Sequence, residues 1–296
     1  MSASGFGGLH PLVCFTYYAG AILLGLMLAH PVYQLASLAL LTALLLLQRQ
    51  GRTLARSLPY YLLVGGLFAI VNPLLSHRGR HIIFYLMDQP ITLEAVLYGA
   101  MMMMTILAVL LMFVSYRVVM TTDKFMYLFS AVLPQTALHT WMTLRFIPLF
   151  ARRFKQIELI QRSRGIDMRT GGPIRRLKNG ALLLRILMTW SLEDAMRTGD
   201  SMKARGYGTA KRTAYYPYRM DRRDRATLAM LGLLLLLSLA GWREGWGLLT
   251  LFPRMEPIRL GSFEWIHFAV TALFVGMPIV FETRERYRWR SSRRSA

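Results

Sequence analysis

Two short stretches carry the residues best suited to specific chemistry, Ser163-Arg164-Gly165-Ile166 and Ala204-Arg205-Gly206-Tyr207. Each sets a small residue, an arginine, a glycine and a bulky apolar residue in that order at the end of a helix-patterned segment. The planar guanidinium of arginine pairs with a carboxylate through two parallel hydrogen bonds, so an arginine displayed at a helix end can enter an acidic groove on a partner. A plainer account exists for each stretch alone. Glycine commonly follows a helix C-terminus, and the helix dipole favours a cation there. Both readings fit one ending, and the repetition on successive helices favours docking.

Other chemistry finds little support. No glycine-rich loop precedes a Gly-Lys-Ser/Thr triplet, so the chain cannot hydrolyse ATP through a P-loop. His77 and His81 have the spacing of a helical metal pair, but Arg78 and Arg80 between them disfavour a cation, so no metal site is expected. The apolar runs hold almost no acidic residue for a proton relay, and only Asn72 is a conspicuous polar group there. No convergent catalytic set can be assembled, with Glu94 and Asp123 the acids to test, and no catalytic residue is predicted.

The elements that must position the two arginines are set by a composition of 54% hydrophobic residues in 296, with a formal net charge of +21. Uncharged runs long enough to cross about 30 Å of hydrocarbon identify an integral membrane protein. Tyr18 to Leu47 lacks charge, but His30-Pro31 interrupts it, which predicts two short helices over residues 17–29 and 32–47. Further runs span Leu58–Leu75, ending at Asn72-Pro73, then Leu97–Val114, Ala226–Ala240 and Phe263–Phe281. The prediction is an all-α membrane protein with about six membrane helices, or four to five if the first pair is re-entrant. The absence of a basic residue before the first apolar stretch argues against a cleaved signal peptide. Cys14, the single cysteine, can form no internal disulfide.

Short loops rich in Lys and Arg stay in the cytoplasm. That rule places the Arg49–Arg56 loop, the basic segment Ala151–Arg225 and the arginine-rich tail after Thr283 inside, and the polar loops 76–94 and 248–262 outside. Between the spans lies an insert too long and too patterned for an ordinary loop. Apolar residues recur at helical spacing over 137–162, and after Gly171-Gly172-Pro173 a second helix is predicted from Ile174 to Ala204. Arg175, Arg176, Lys178, Arg185, Glu193, Asp194 and Arg197 keep that second helix out of lipid, while Leu182, Leu183, Ile186, Leu187 and Met188 give it an apolar stripe for the membrane domain or another protein. Three regions follow: membrane helices over 1–135, cytoplasmic coupling helices over 136–225, and a membrane helix pair with a basic tail over 226–296.

Several further stretches resemble one family: Asn72-Pro73-Leu74 with His77-Arg78-Gly79, Pro90-Ile91-Thr92-Leu93-Glu94, Thr121-Thr122-Asp123-Lys124, Leu144-Arg145-Phe146-Ile147-Pro148 and Ser201–Gly208. With the two Arg-Gly endings, the arrangement over residues 55–225 resembles the transmembrane T component of energy-coupling factor (ECF) transporters, the family that includes cobalt-transporter Q subunits. In that family, two short Ala-Arg-Gly-like signatures each enter a groove of one ATPase subunit. The resemblance assigns this role to Ser163, Arg164 and Gly165, where serine replaces alanine, and to Ala204, Arg205 and Gly206. It implies two ATP-binding-cassette ATPases as partners, with ATP and magnesium in those subunits and no cofactor in this chain. It also implies a small membrane-embedded substrate-binding S component, for a vitamin or a metal ion, lying on Leu182, Leu183, Leu187 and Met188. The expected location is a bacterial or archaeal plasma membrane, in contact with lipid.

A membrane-anchored basic protein that binds nucleic acid or another acidic partner is the alternative. No nucleic acid is expected, because the insert lacks aromatic residues among its arginines before Tyr215, Tyr216 and Tyr218.

Overall fold

A computed structural model describes residues 5–75, 81–86, 89–167, 171–209, 218–249 and 260–294. The chain forms two compact units, Met1–Phe125 with Tyr218–Ala296, and Met126–Pro217.

The first unit opens with a single 3-10 turn, Gly5–Gly8, and two short helices, α1 (Pro11–Met27) and α2 (Pro31–Leu47). Both start in the same way. Proline sits at the first helical position, where a missing N–H costs nothing. The histidine before it accepts a hydrogen bond from the amide two residues on, His10 from Leu12 and His30 from Val32, each at 3.3 Å. Proline therefore divides the uncharged run where the sequence predicts. At 17 residues each, α1 and α2 are about 25 Å long.

Helix α3 (Gly51–Leu75) carries Pro59 and Pro73 inside it, begins before the predicted run and ends with it at Leu75. Strands β1 (Ile82–Leu86) and β2 (Gln89–Thr92) pair antiparallel, so the predicted polar loop contains a hairpin. The hairpin is tied to α4 (Leu93–Val119) by Glu94, whose buried carboxylate accepts from the His81 amide at 3.3 Å and meets its Nδ1 at 2.9 Å. A further helix, α5 (Thr122–Val132), was not anticipated as a separate element.

Among the described residues, four helices are long and apolar enough to cross a membrane: α3, α4, α8 (Arg222–Arg243) and the first part of α9 (Ser262–Arg294). With shorter α1 and α2, they form an all-α, multi-pass membrane unit. The arginine-rich tail continues α9 as helix to Arg294 rather than leaving it.

Helix α1 forms the centre, packed by α4, α8 and α9, while α2 lies on α4 and α9 and α3 on α4. Tyr17 and Tyr18 are buried with ring centres 5.0 Å apart, and Phe274 stacks on Tyr17 at 5.8 Å. Their hydroxyls are satisfied inside the bundle, Tyr17 donating to the Val275 carbonyl and Tyr18 sharing a proton with Ser115, both at 2.8 Å. A buried phenol without a partner would cost about 1–3 kcal/mol. Helices α3 and α4 meet at Gly99, where an added Cβ would lie 2.8 Å from the Ala69 carbonyl oxygen, so only glycine allows that approach.

The second unit is built on α6 (Pro134–Ser163) and α7 (Pro173–Ala204), which pack on each other. It also takes in most of α5 and leaves the start of α8 with the membrane unit. Trp190 of α7 meets Phe150 of α6 edge-on at 6.0 Å, and the Arg153 guanidinium covers the same indole at 4.7 Å.

Both histidine caps accept through a neutral nitrogen, and burial holds His10 and His30 below the usual value of 6.5, with Asp224 and Glu264 partly opposing it. The folded pKa lies below the unfolded one, so this stabilisation is complete above about pH 6.5 and is lost as pH falls through the folded value. Acidifying the purified protein from about pH 7.5 to about 5.5 should therefore lower its thermal midpoint. The double variant His10→Asn/His30→Asn retains capping groups and should show a flatter pH profile. An equally acid-sensitive double variant would exclude these caps as the cause.

Candidate docking site

Helix α6 ends at Ser163, with Arg164 at the C-cap and Gly165 in the left-handed region at φ +80°. The Gly165 amide donates to Arg162 O and the Ile166 amide to Gln161 O, both at 3.0 Å, the paired bonds of a Schellman motif. Helix α7 ends the same way. Arg205 is the C-cap, Gly206 has φ +79°, and the amides of Gly206 and Tyr207 donate to Lys203 O at 2.9 Å and Met202 O at 3.0 Å. The two stretches matched in sequence are therefore matched in backbone geometry.

The cap accounts for the glycines but not for the arginines. Helix α8 closes with the same bonds, Gly245 to Trp242 O and Trp246 to Gly241 O at 3.0 Å, and there the C-cap residue is Glu244. Arg164 and Arg205 are exposed, and among the described residues neither guanidinium has a hydrogen-bond or ion-pair partner. The Ser163 hydroxyl donates back to the Ile160 carbonyl at 2.7 Å, so its outward profile is close to that of Ala204.

The turn after Arg164 is anchored. Asp167 pairs with Arg162 at 3.3 Å, and its carbonyl accepts from the Asn179 side chain of α7 at 2.8 Å. One arginine is thus held beside the α6 end with a fixed backbone, while the other lies at the far end of α7.

The apolar stripe on α7 has a different phase from the expected one. Leu183 is only 1% exposed and faces the interior of the chain. Leu182 and Leu187 are half-buried, and Met188 is 64% exposed. The outward stripe runs through Ile174, Leu177, Leu184, Met188, Leu192 and Met196, linked by steps of three and four through Ala181. That spacing was present in the sequence. It was masked by the unbroken run Leu182–Leu184, which covers most of the helix circumference and defines no phase. Helix α6 adds exposed Trp141, Leu144 and Ile147.

His77 lies outside the described residues, and His81 is engaged by Glu94. Among the described residues no three His, Cys, Asp or Glu side chains gather as a metal site would require.

A polytopic helical membrane unit carrying a charged helical insert, whose two helices end in identically capped arginines, defines a multi-pass membrane protein. Residues 9–216 match the family described as CbiQ, cobalt transport protein. The chain belongs to that family, the transmembrane T components of energy-coupling factor transporters. The energy-coupling factor transporter transmembrane protein EcfT of Lactobacillus helveticus is 37% identical over 114 residues, covering 37% of this chain and 41% of the relative. EcfT of Leuconostoc gelidum subsp. gasicomitatum is 29% identical over 178 residues, covering 56% and 66%. EcfT of Staphylococcus aureus is 30% identical over 105 residues, covering 35% and 39%. The chain thus spans from about two fifths to about two thirds of the length of these relatives.

Forcing an L side chain into the left-handed region costs about 1 kcal/mol, whereas exposed substitutions stay within about 0.5 kcal/mol. Gly165→Ala, with open space around its Cβ, and Gly206→Ala should each lower the thermal stability of the purified protein by about the former amount. Arg164→Ala and Arg205→Ala should leave it unchanged. A loss on removing arginine equal to that on removing glycine would reveal a structural partner for the guanidinium.

Proposed function

We propose that this chain is the energy-coupling scaffold of an ECF-type importer, transmitting ATP-driven motion from two ATP-binding-cassette ATPases to a separate S component. The observation that carries the reading is the pair of unpaired arginines on identical caps at the ends of α6 and α7. Each guanidinium enters an acidic groove on one ATPase and forms charge-assisted hydrogen bonds worth about 1.5–3 kcal/mol apiece. ATP and magnesium are held by the ATPases, and this chain is non-catalytic. When ATP closes the ATPase pair, two arginines anchored to different subunits are displaced relative to each other, and the helices bearing them move.

The S component rests on the outward stripe of α7, around Leu184, Met188 and Leu192. It carries the vitamin or metal ion, so this chain binds no substrate. The coupling helices and the α9 tail face the cytoplasm of a bacterial or archaeal cell, a topology favoured by the Lys/Arg bias of both segments. Methionine at 188 and 196 suits a surface that accommodates a moving or exchangeable partner.

Charge reversal tests the first half. With both ATPases co-expressed, Arg205→Glu should reduce ATPase recovery with the tagged protein about a hundredfold, since it leaves a buried carboxylate facing carboxylates. Arg164→Glu should do the same for the other ATPase, and uptake should fall in both, with the chain still folded in the membrane. Undiminished assembly in both variants would leave the arginines as caps alone.

The second half separates by face. Leu184→Glu/Met188→Glu should remove the S component from the purified complex and retain the ATPases. Leu183→Ala should instead cost about 2–4 kcal/mol of stability without selective loss of any subunit. Loss of the S component on Leu183→Ala alone, at unchanged stability, would return the contact to the inner face.

A further inference from the structure

The segment Gly5–His10 belongs to no membrane-crossing helix, yet Phe6 is fully buried, and Leu9 and His10 are nearly so. Ionisable side chains from three separate elements lie against its backbone, and two of them bond to it. The Glu282 carboxyl of α9 packs directly against Gly5. The Gly7 carbonyl accepts from the Lys124 ammonium of α5. The His10 amide donates to Asp224 Oδ1 of α8 at 3.4 Å, and its ring meets Tyr218 edge-on at 6.4 Å. Glycine is required for this fit at position 5, where φ is +83° and a Cβ would stand 2.8 Å from the Glu282 carboxyl.

Two of these partners have a particular place in the chain. Lys124 lies immediately before the point where the polypeptide leaves the membrane unit, after Phe125, and Tyr218 is the first residue after it returns. Asp224 follows in the first turn of α8, where it also completes the capping box with Asp221. Lys124 and Asp224 are 4% and 7% exposed, so each was desolvated on folding and is held by the polar groups it meets. The departing and returning strands are therefore both attached to the same stretch of backbone.

We infer that Gly5–His10 is a clasp joining the two roots of the coupling unit, with Lys124 and Asp224 as the residues that position them. Because both roots bond to one short segment, neither can shift without loading the other, and displacement reaching either is shared with α8 and α9 through Asp224 and Glu282. The inference concerns the mechanics of this chain and holds independently of the ATPase reading.

Hydrogen exchange on the full-length protein in detergent, followed by mass spectrometry, tests it. Lys124→Met keeps the aliphatic bulk and removes the donor to Gly7. It should raise amide exchange at least about tenfold both over 121–126 and over 218–225, with α3 and α4 unchanged. Unchanged exchange at both roots, or a rise at 121–126 alone, overturns the clasp. If this variant does not fold, the wild-type protein decides. In mild denaturant the amides of 6–10, 121–126 and 218–225 should open as one cooperative unit with a common denaturant slope. Separate opening of the two roots overturns the inference.

Discussion

The cost of placing a charged side chain in hydrocarbon divides this chain. Uncharged runs form α1, α2 and the apolar parts of α3, α4, α8 and α9, while α6 carries five and α7 six Lys or Arg side chains that would each cost several kcal/mol if moved into lipid. The insert must therefore fold on itself. Its two helices are joined through a tryptophan shared between a phenylalanine and an arginine, a contact that buries apolar area while leaving the charges solvated. Since α6 and α7 bury only one face against each other, the opposite face of α7 stays apolar and exposed. A monomeric soluble protein rarely tolerates such a stripe, and its presence is what makes a partner surface the economical explanation.

The membrane unit solves a complementary problem. In lipid every buried polar group must find its partner inside the protein. Tyr17, Tyr18 and Tyr33 are the tyrosines of α1 and α2, and each hydroxyl reaches a group on another helix, with Tyr33 meeting both Glu264 O and His267 Nδ1 at 3.0 Å. These bonds orient α1 and α2 relative to α4 and α9 without loops long enough to do so. The two helices are too short to span easily, and their burial by longer neighbours compensates for that shortness.

Much of this was legible in the residues. His30-Pro31 marked the break between α1 and α2 because proline's geometry is local, and the 3.6 period marked α6 and α7 because their polar faces are in water. Inside a membrane helix the periodic signal fades, since both the lipid-facing and core-facing sides are apolar. Nothing in the sequence of α1 therefore announced that it is central. The short amphipathic α5 was hidden behind the polar Thr121–Lys124, and the seating of Phe6 depends on bonds from its neighbours to Lys124 and Asp224 and on packing against Glu282, all far away in sequence. The phase of α7 was ambiguous for the reason given by Leu182–Leu184: three successive leucines spread over most of a turn.

Capping and docking, which the sequence presents as alternatives, are physically complementary at Arg164 and Arg205. A helix normally frays over its last turn, and an arginine on a frayed end would lose backbone freedom on entering a groove, at about 1–2 kcal/mol per residue fixed. A Schellman motif removes that freedom beforehand by satisfying the last carbonyls within the chain. The guanidinium then starts from a defined point on a rod of about 45 Å, and only side-chain entropy remains to be lost. The same cap at Glu244 shows that the motif does not select arginine. The backbone explains the glycine and the rigidity, and it leaves the guanidinium at the C-cap exposed and unspent within the described residues.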